Sequence, residues 1–541
     1  MFRQNSRHAQ KSLFESTEWM DKRVRDKLDK TWAPIFYEHV FSRIDERPFS
    51  VLYSDIGRPN FPVNIILSLE YIKHMRDCSD LELMDSFYFD YLVNHAVGIR
   101  RLGELNLAER TLYYFRERLY SYCLENPGKD DLLFGPFLGF LKGFAELAGV
   151  SLGEQRTDTT YFMSNIKKAG RMSLAYDVLV RAVKAIPPEK LTGSLSAVLE
   201  AKFKTDVLYR SKSDEHDSKL EMLLALCNEA VVILGSLPGM RDSEEFRIAK
   251  RFLSEQSVID ADGKISAKPN KEISPDSLQS AFDEDATFRR KGNENHTGYK
   301  LQISETCGDE NPFQLITDYS VEPNNVSDGD MLGDRLGQIG ENTGCTDMYV
   351  DGGFHSDVVY GKAEENEIDI HITNMTGTKP TARIPVSEFD IDEASNLIKQ
   401  CPGGHTPTRA AVSNSQTTAH FPHGTCGGCV FRDRCHSKGQ KNDCVVRISL
   451  KAVNASRERE RMNAEIAVNT SKRAGIEGSN SALKRKGQDK LDVRGYEKCK
   501  LVSGFNVTVQ NIKRFIRFQL GGYKTKPLAL PRCGILAPIP G

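Results

Sequence analysis

From Cys401 to Cys444 the chain is rich in Gly, Arg and His, yet it sets thiols there at short intervals. The pattern is Cys426-x2-Cys429-x5-Cys435, with Cys401 upstream in the turn CPGG. Two short turns can bring four thiolates around one tetrahedral Zn²⁺ in a reducing compartment. A closed set of four cysteines leaves no position for water, so such a site is structural. His405, His420, His423, His436 and Cys444 are alternative ligands in the same stretch. The expectation is an insertion without a core of its own, stapled by a structural Zn²⁺.

At 541 residues the chain is too long for one ordinary core, and a soft prior gives about three or four units. Overall charge names no partner, because 73 basic residues balance 74 acidic ones. The distribution is uneven: from Lys451 to Gly541 there are 19 Lys or Arg against 7 Asp or Glu, a net of +12. A basic C-terminal region is the electrostatic footprint of a polyanion partner, most often nucleic acid. No run of apolar residues is long enough for a membrane-spanning helix. The start, MFRQNSRHAQKSLFESTEW, lacks the apolar core of a signal peptide. A cytoplasmic chain with reduced cysteines is expected.

The first 125 or so residues read as helical. Ser79 to Glu82 is a capping box before an amphipathic segment. Leu107 to Leu119 places Arg110, Arg116 and Arg118 among Tyr113, Tyr114 and Phe115. Such helices suit a helix-turn-helix DNA reader and equally a plain α-domain. Arg156 to Phe162 is a short β-prone run, and residues 172–260 are strongly helical. Residues 254–285 read as polar loop. Gly298–Glu305 and Pro312–Val321 form a hairpin across the acidic turn CGDEN. A helix is expected over Asp328–Ile339, then a strand at Asp347–Val350 ending at Asp351, a helix from Ser356 and a strand at Ile368–Thr373. Strands mixed with helices point to an α/β core with two insertions, one helical and one cysteine-rich.

Asp158 and Asp351 each sit in or at the end of a short predicted strand, where a carboxylate is rigidly placed. Converging carboxylates can bind Mg²⁺, which prefers oxygen ligands. Arg473 to Lys484 reads RAGIEGSNSALK. At about 100° per residue, one helix would put Arg473, Glu477 and Lys484 on a narrow stripe, with Ile476 and Leu483 on a neighbouring one. That stripe is either an i,i+4 ion pair on a solvated helix or a metal ligand beside phosphate-binding cations. Gly475 and Gly478 each cost roughly 1 kcal/mol in a helix interior, which suggests a close approach at those positions.

Three stretches, RTDTTYFMSNIKKAGR, YVDGGFHSD and RAGIEGSNSALK, resemble the three catalytic blocks of bacterial insertion-sequence transposases of the DDE type. RPNFPVNIILSLEYIK and NLAERTLYYFRERL are similar to the N-terminal domain of those enzymes. GNENHTGYKLQI and VEPNNVSDGDML are similar to their inter-block segments, and one branch of the family carries a cysteine insertion before the third block. The resemblance implies that Asp158, Asp351 and Glu477 are catalytic carboxylates. In the Tyr-x2-Arg-x3-Glu-x6-Lys pattern of one group, Arg473, Glu477 and Lys484 fit, while Thr470 stands at the tyrosine position.

The implied fold is an RNase H-like α/β core with a helical insertion and a zinc-binding insertion, preceded by an all-α DNA-binding domain. The implied division is 1–125 N-terminal domain, 126–171 start of the core, 172–290 helical insertion, 291–384 core with Asp351, 385–450 cysteine-rich insertion, and 451–541 glutamate helix and basic C-terminal region. The implied activity is cleavage of transposon ends and joining of their 3′-OH groups to target DNA. The implied cofactors are two Mg²⁺ ions (Mn²⁺ as a substitute) on the three carboxylates, and structural Zn²⁺ on Cys401, Cys426, Cys429 and Cys435. The implied partner is double-stranded DNA, contacted by Arg473, Lys484, Arg110, Arg116 and Arg118 in a nucleoid-associated homodimer, with no membrane. A non-catalytic DNA-binding regulator and a nuclease without strand transfer are the rival readings.

Overall fold

The computed structural model describes residues 1–9, 16–129, 131–210, 215–260, 264–373 and 383–522. A mixed sheet lies at its centre. Its strands are β1 (Glu154–Phe162), β2 (Thr287–Lys291), β3 (Glu294–Thr306), β4 (Ile316–Pro323), β5 (Asp347–Val350) and β6 (Asp369–Ile372). The spatial order is β2-β3-β1-β5-β6, with β4 also paired to β3. β1, β5 and β6 run parallel, and β3 is antiparallel to β1, β2 and β4. This mixed order fits an RNase H-like core.

The hairpin is longer than its sequence suggests. β3 begins at Glu294, and β2 is an unforeseen strand on its first half. Gly298 permits this, with φ +122° where a Cβ would lie 2.6 Å from the Phe162 carbonyl oxygen. The strand crosses β1 too closely there for any side chain.

One face of the sheet buries Leu301, Ile303, Ile316 and Val321 against Ile476, Leu483, Cys499 and Val507 of the C-terminal helices. The β5–β6 side packs Met348, Val350, Ile370 and Ile372 on Leu332, Leu336 and Ile339. Those three leucine and isoleucine residues lie on the helix Asp328–Thr343, which Ser327 caps at the amide of Asp330.

The helical insertion has its own core, in which Leu179, Leu223, Leu224, Cys227 and Phe252 are buried. Two strands, Ser257–Ile259 and Ile265–Ala267, pair inside the stretch read as polar loop. The cysteine-rich insertion is not coreless as expected. It folds a four-stranded sheet, Arg409–Val412, Gln416–Phe421, Ser437–Gly439 and Cys444–Ser449. Alternation in QTTAHF buries Thr417, Ala419 and Phe421, and Ile384, Phe389, Ile398, Val446 and Ile448 complete a small cluster.

The N-terminal region is helical, and the Ser79–Glu82 capping box is present. Its apolar core is continuous with the last described helix, Tyr496–Gln519. Phe505, Val509, Ile512 and Phe515 pack among Tyr71, Phe140 and Phe144, and the Phe144 and Phe515 rings stack at 4.2 Å. The N-terminal region and the Tyr496–Gln519 helix thus share one core across the boundary expected at residue 125.

Candidate active site

Asp158 lies at the middle of β1. Parallel pairing of β1 with β5 aligns Glu154 with Asp347 and Arg156 with Tyr349, an offset of 193 residues. Continued for two residues, that offset sets Asp158 beside Asp351, which follows the end of β5. Asp351 caps the turn Gly352–Phe354, its Oδ1 accepting from the Gly353 amide at 2.8 Å. Its other oxygen is thereby left toward the strand ends.

Glu477 comes from the C-terminal helices. Here the expected single helix over Arg473–Lys484 is broken in two: α1 (Leu450–Ala474) ends before Gly475, and α2 (Ile476–Leu483) begins after it. The cause is Arg156 on β1. Its Nη1 donates to the carbonyl of Lys472 at 2.6 Å, the group that an unbroken helix would offer to the amide of Ile476. A Cβ on Gly475 would fall 2.2 Å from that same nitrogen, whereas one on Gly478 would meet nothing within 4 Å among the described residues. Of the two glycines, only Gly475 answers to a close approach.

α2 is held from below. Ile476 and Leu483 are buried in the sheet core, each worth about 1.5–3 kcal/mol relative to exposure. Ser479 donates to Glu305 Oε2 at 2.5 Å. Glu305 is fully buried and also accepts from Arg156 and from Arg514, at 2.8 and 3.1 Å. Two guanidiniums and a hydroxyl satisfy this buried charge, as burial demands. The upper side of α2 then presents Glu477, 68% exposed, in its first turn. Asn480 Nδ2 reaches down to Asp158 Oδ2 at 3.1 Å.

The guanidinium of Arg473 stands among the three carboxylates. Its nitrogens lie 3.7 Å from Asp158, 3.6 Å from Asp351 and 3.8 Å from Glu477. The carboxylates themselves are not gathered within 4.8 Å of one another. Burial pushes the Asp158 carboxyl up to about 6, against the lowering effect of Arg473 and with a further push from Asp351. Such a perturbed acid, between a second carboxylate and a cation, suits a divalent ion. The donor set fits Mg²⁺: all donors are oxygens, and a side-chain cation already stands where they converge.

The rim is cationic and aromatic. Tyr161 stacks on His296 with centroids 4.3 Å apart, and Lys291 Nζ lies 5.7 Å over the Tyr161 ring. Burial first, then Lys168, Lys291 and Lys484, lower the His296 imidazole, with Glu294 opposing them. Lys484 is exposed at the end of α2. Asn480, Lys291, Tyr161 and His296 were not singled out in the sequence. Asn480 and Tyr161 lie inside the quoted blocks, whereas Lys291 sits on the unforeseen β2.

The arginines of the N-terminal region differ among themselves. Arg110 and Arg118 are exposed, close to the rings of Tyr114 and Tyr53. Arg116, expected with them on DNA, is instead bound to Glu70 and to both oxygens of Asp80 at 2.7–2.8 Å. Its guanidinium is committed to the fold. Thr470 is exposed on α1, one turn before Arg473.

Cys401, Cys426, Cys429 and Cys435 are half-buried in the insertion. The Cys426 thiol is pushed upward by burial, then by its hydrogen bond with Cys444 and by the charges of Cys435 and Cys401. Crowded thiols that resist ionisation singly are the donor chemistry a Zn²⁺ ion relieves. Among the described residues no three of these sulfurs lie within 4.8 Å of one another, and Cys444 also meets His423 Nδ1 at 3.6 Å. The grouping that does meet that distance is Asp347, Asp369 and His371. It sits at the opposite ends of β5 and β6 from Asp351, so it is separate from the carboxylates described above.

No helix among the described residues is long and apolar enough to cross a membrane. No curated protein and no solved structure matches the chain. Residues 400–516, which carry the cysteine-rich insertion, Arg473, Glu477 and Lys484, match the family model of the transposase DDE domain, and that match supports an insertion-sequence DDE transposase.

Proposed function

We propose that the chain is a DNA transposase that cleaves the ends of its insertion sequence and joins the freed 3′-OH groups to target DNA. The observation that carries this reading is the convergence of Asp158, Asp351 and Glu477 on one guanidinium. The family match spans only the third of these carboxylates, and the β1–β5 register supports reading the other two with it.

In this reading Asp158, Asp351 and Glu477 would hold two Mg²⁺ ions. When bound, these supply Lewis-acid activation of the attacking oxygen and neutralisation of the leaving one. Asn480 orients Asp158 through its 3.1 Å hydrogen bond. Lys484 and Lys291 hold DNA phosphates at the rim, and the Tyr161–His296 pair gives an unpaired base a face to stack on. Arg473 contacts a phosphate near the scissile bond. Arg110 and Arg118 bind backbone along the N-terminal helices. Zn²⁺ on Cys401, Cys426, Cys429 and Cys435 fixes the insertion against α1. Two chains act together, one at each DNA end. The 1–125, 126–171, 172–290, 291–384, 385–450 and 451–541 segments serve as this enzyme's DNA-binding region, core and insertions.

A supercoiled plasmid carrying the element's ends, incubated with Mg²⁺ and the full chain, tests the proposal. Excision with joined products is expected. Cuts without joining would mean a nuclease, and retarded plasmid without cuts would mean a regulator.

A further inference from the structure

We propose that Arg473 is an internal counter-cation: it holds the three carboxylates together in the metal-free protein and must leave them when divalent ions bind. The inference rests on reading Asp158, Asp351 and Glu477 as a divalent-metal site. It adds an order of events, in which metal entry frees the guanidinium that then meets phosphate.

Two arginines at the same helix junction make the contrast. Arg156 is locked, with Nε 2.8 Å from Glu305 Oε1, Nη2 2.5 Å from the same oxygen and Nη1 2.6 Å from the Lys472 carbonyl. Arg473 is not. Its carboxylate contacts run from 3.6 to 3.8 Å, well beyond the 2.7–2.9 Å of a charge-assisted hydrogen bond. Its Nε is buried with no hydrogen-bond partner among the described residues. A planar fork of five donors forms short paired bonds wherever it can settle on one carboxylate. This one is suspended between three, held by their summed field rather than by directed bonds.

The charges explain why it can be displaced. Three carboxylates around one guanidinium leave an excess of negative charge. The other groups facing Asp158 are neutral Asn480 and the more distant Lys291. A Mg²⁺ ion needs oxygens at about 2.0–2.1 Å, so it cannot share the space between Asp158 and Asp351 with a guanidinium 3.6–3.7 Å from each. Arg473 is the penultimate residue of α1, two positions before the Gly475 break. Its side chain can turn outward without disturbing Ile476, Ser479 or Leu483, which anchor α2.

The test uses the full chain stripped with EDTA. Mn²⁺ is titrated by calorimetry and by the electron paramagnetic resonance signal of free Mn²⁺, for wild type, Arg473→Gln, Arg473→Lys and Asp158→Asn. Arg473→Gln is expected to bind Mn²⁺ about tenfold more tightly, because a competing cation is gone. Its metal-free melting temperature should fall below wild type, with the gap closing at saturating Mn²⁺. Arg473→Lys should lie between the two. If Arg473→Gln binds Mn²⁺ no better than wild type while Asp158→Asn loses it, the counter-cation role is overturned and the metal site stands. If wild type and Arg473→Gln bind none, or Asp158→Asn binds as wild type does, the metal reading and this inference fall together. Should Arg473→Gln not fold, crystals of wild type soaked in Mn²⁺ decide the matter. Displacement of the guanidinium from both aspartates supports the role, and its retention beside a bound Mn²⁺ overturns it.

Discussion

Asp158 and Asp351 stand side by side at neighbouring strands although 193 residues separate them, because that number is the register offset of β1 and β5. The helical insertion is looped out, and the hairpin lies along the other side of β1, without disturbing the pairing. The site proposed above therefore depends on one parallel register, and a one-residue slip would turn one carboxylate to the other face.

Asp158→Asn, Asp351→Asn and Glu477→Gln should each reduce plasmid cleavage by at least about 10²-fold, since each removes charge that the reaction requires in place. DNA affinity in a gel-shift assay should change little. Full cleavage by the Glu477→Gln protein would remove that residue from the site.

Asp158 gives the metal-free protein a defined pH response. Its folded carboxyl titrates at about 6 because burial outweighs Arg473, while an unfolded Asp titrates near 3.9. Between about pH 4 and 6 the native state holds more protons than the unfolded one, so stability falls as pH rises through that window and levels off above it. The loss should be on the order of 2–3 kcal/mol at most. Urea unfolding in EDTA at pH 4.5 and 7 checks it. Asp158→Asn should gain stability over wild type at pH 7 and lose that advantage at pH 4.5.

Gly475→Ala should destabilise by about 1–3 kcal/mol, the range for overpacking, because its Cβ meets Arg156. Gly478→Ala meets nothing and should be neutral or stabilising. Arg156→Ala leaves Glu305 buried with Arg514 as its remaining cation and is costly alone. In the double variant Gly475→Ala, Arg156→Ala the two losses should sum to less than their separate values, as contacting residues do. Thermal melts of the four proteins measure the coupling.

Elemental analysis should find one zinc per chain, and the Cys426→Ser, Cys429→Ser double variant should lose it. Because the insertion has a small core of its own, it should become protease-sensitive on zinc loss without unfolding the central sheet. Protection of the Gln416–Phe421 strand from hydrogen exchange, with and without a chelator, would show this. A metal-free wild type would end the zinc assignment.

Lys484→Ala and Lys291→Ala should each lower the slope of log affinity against log salt by about one. Arg116→Ala should instead lower the melting temperature, since it takes the guanidinium from buried Glu70 and leaves Asp80 with Lys73 alone.

The sequence by itself determined part of the elements and the cast. The β-prone run RTDTTYF marked a strand, the capping box marked a helix start, and three blocks carried Asp158, Asp351 and Glu477 in order. These are properties of neighbours within a few residues, where backbone periodicity acts. Tertiary structure alone decided what depends on distant partners. Arg156 breaks the helix at Gly475 by taking the carbonyl of Lys472, 316 residues away. Arg116 is drawn off by Glu70 and Asp80, and the Tyr496–Gln519 helix closes the N-terminal core. The same holds for Arg473. The resemblance implied a DNA contact for it, and its place among three carboxylates depends on a strand register and a helix break that bring them together.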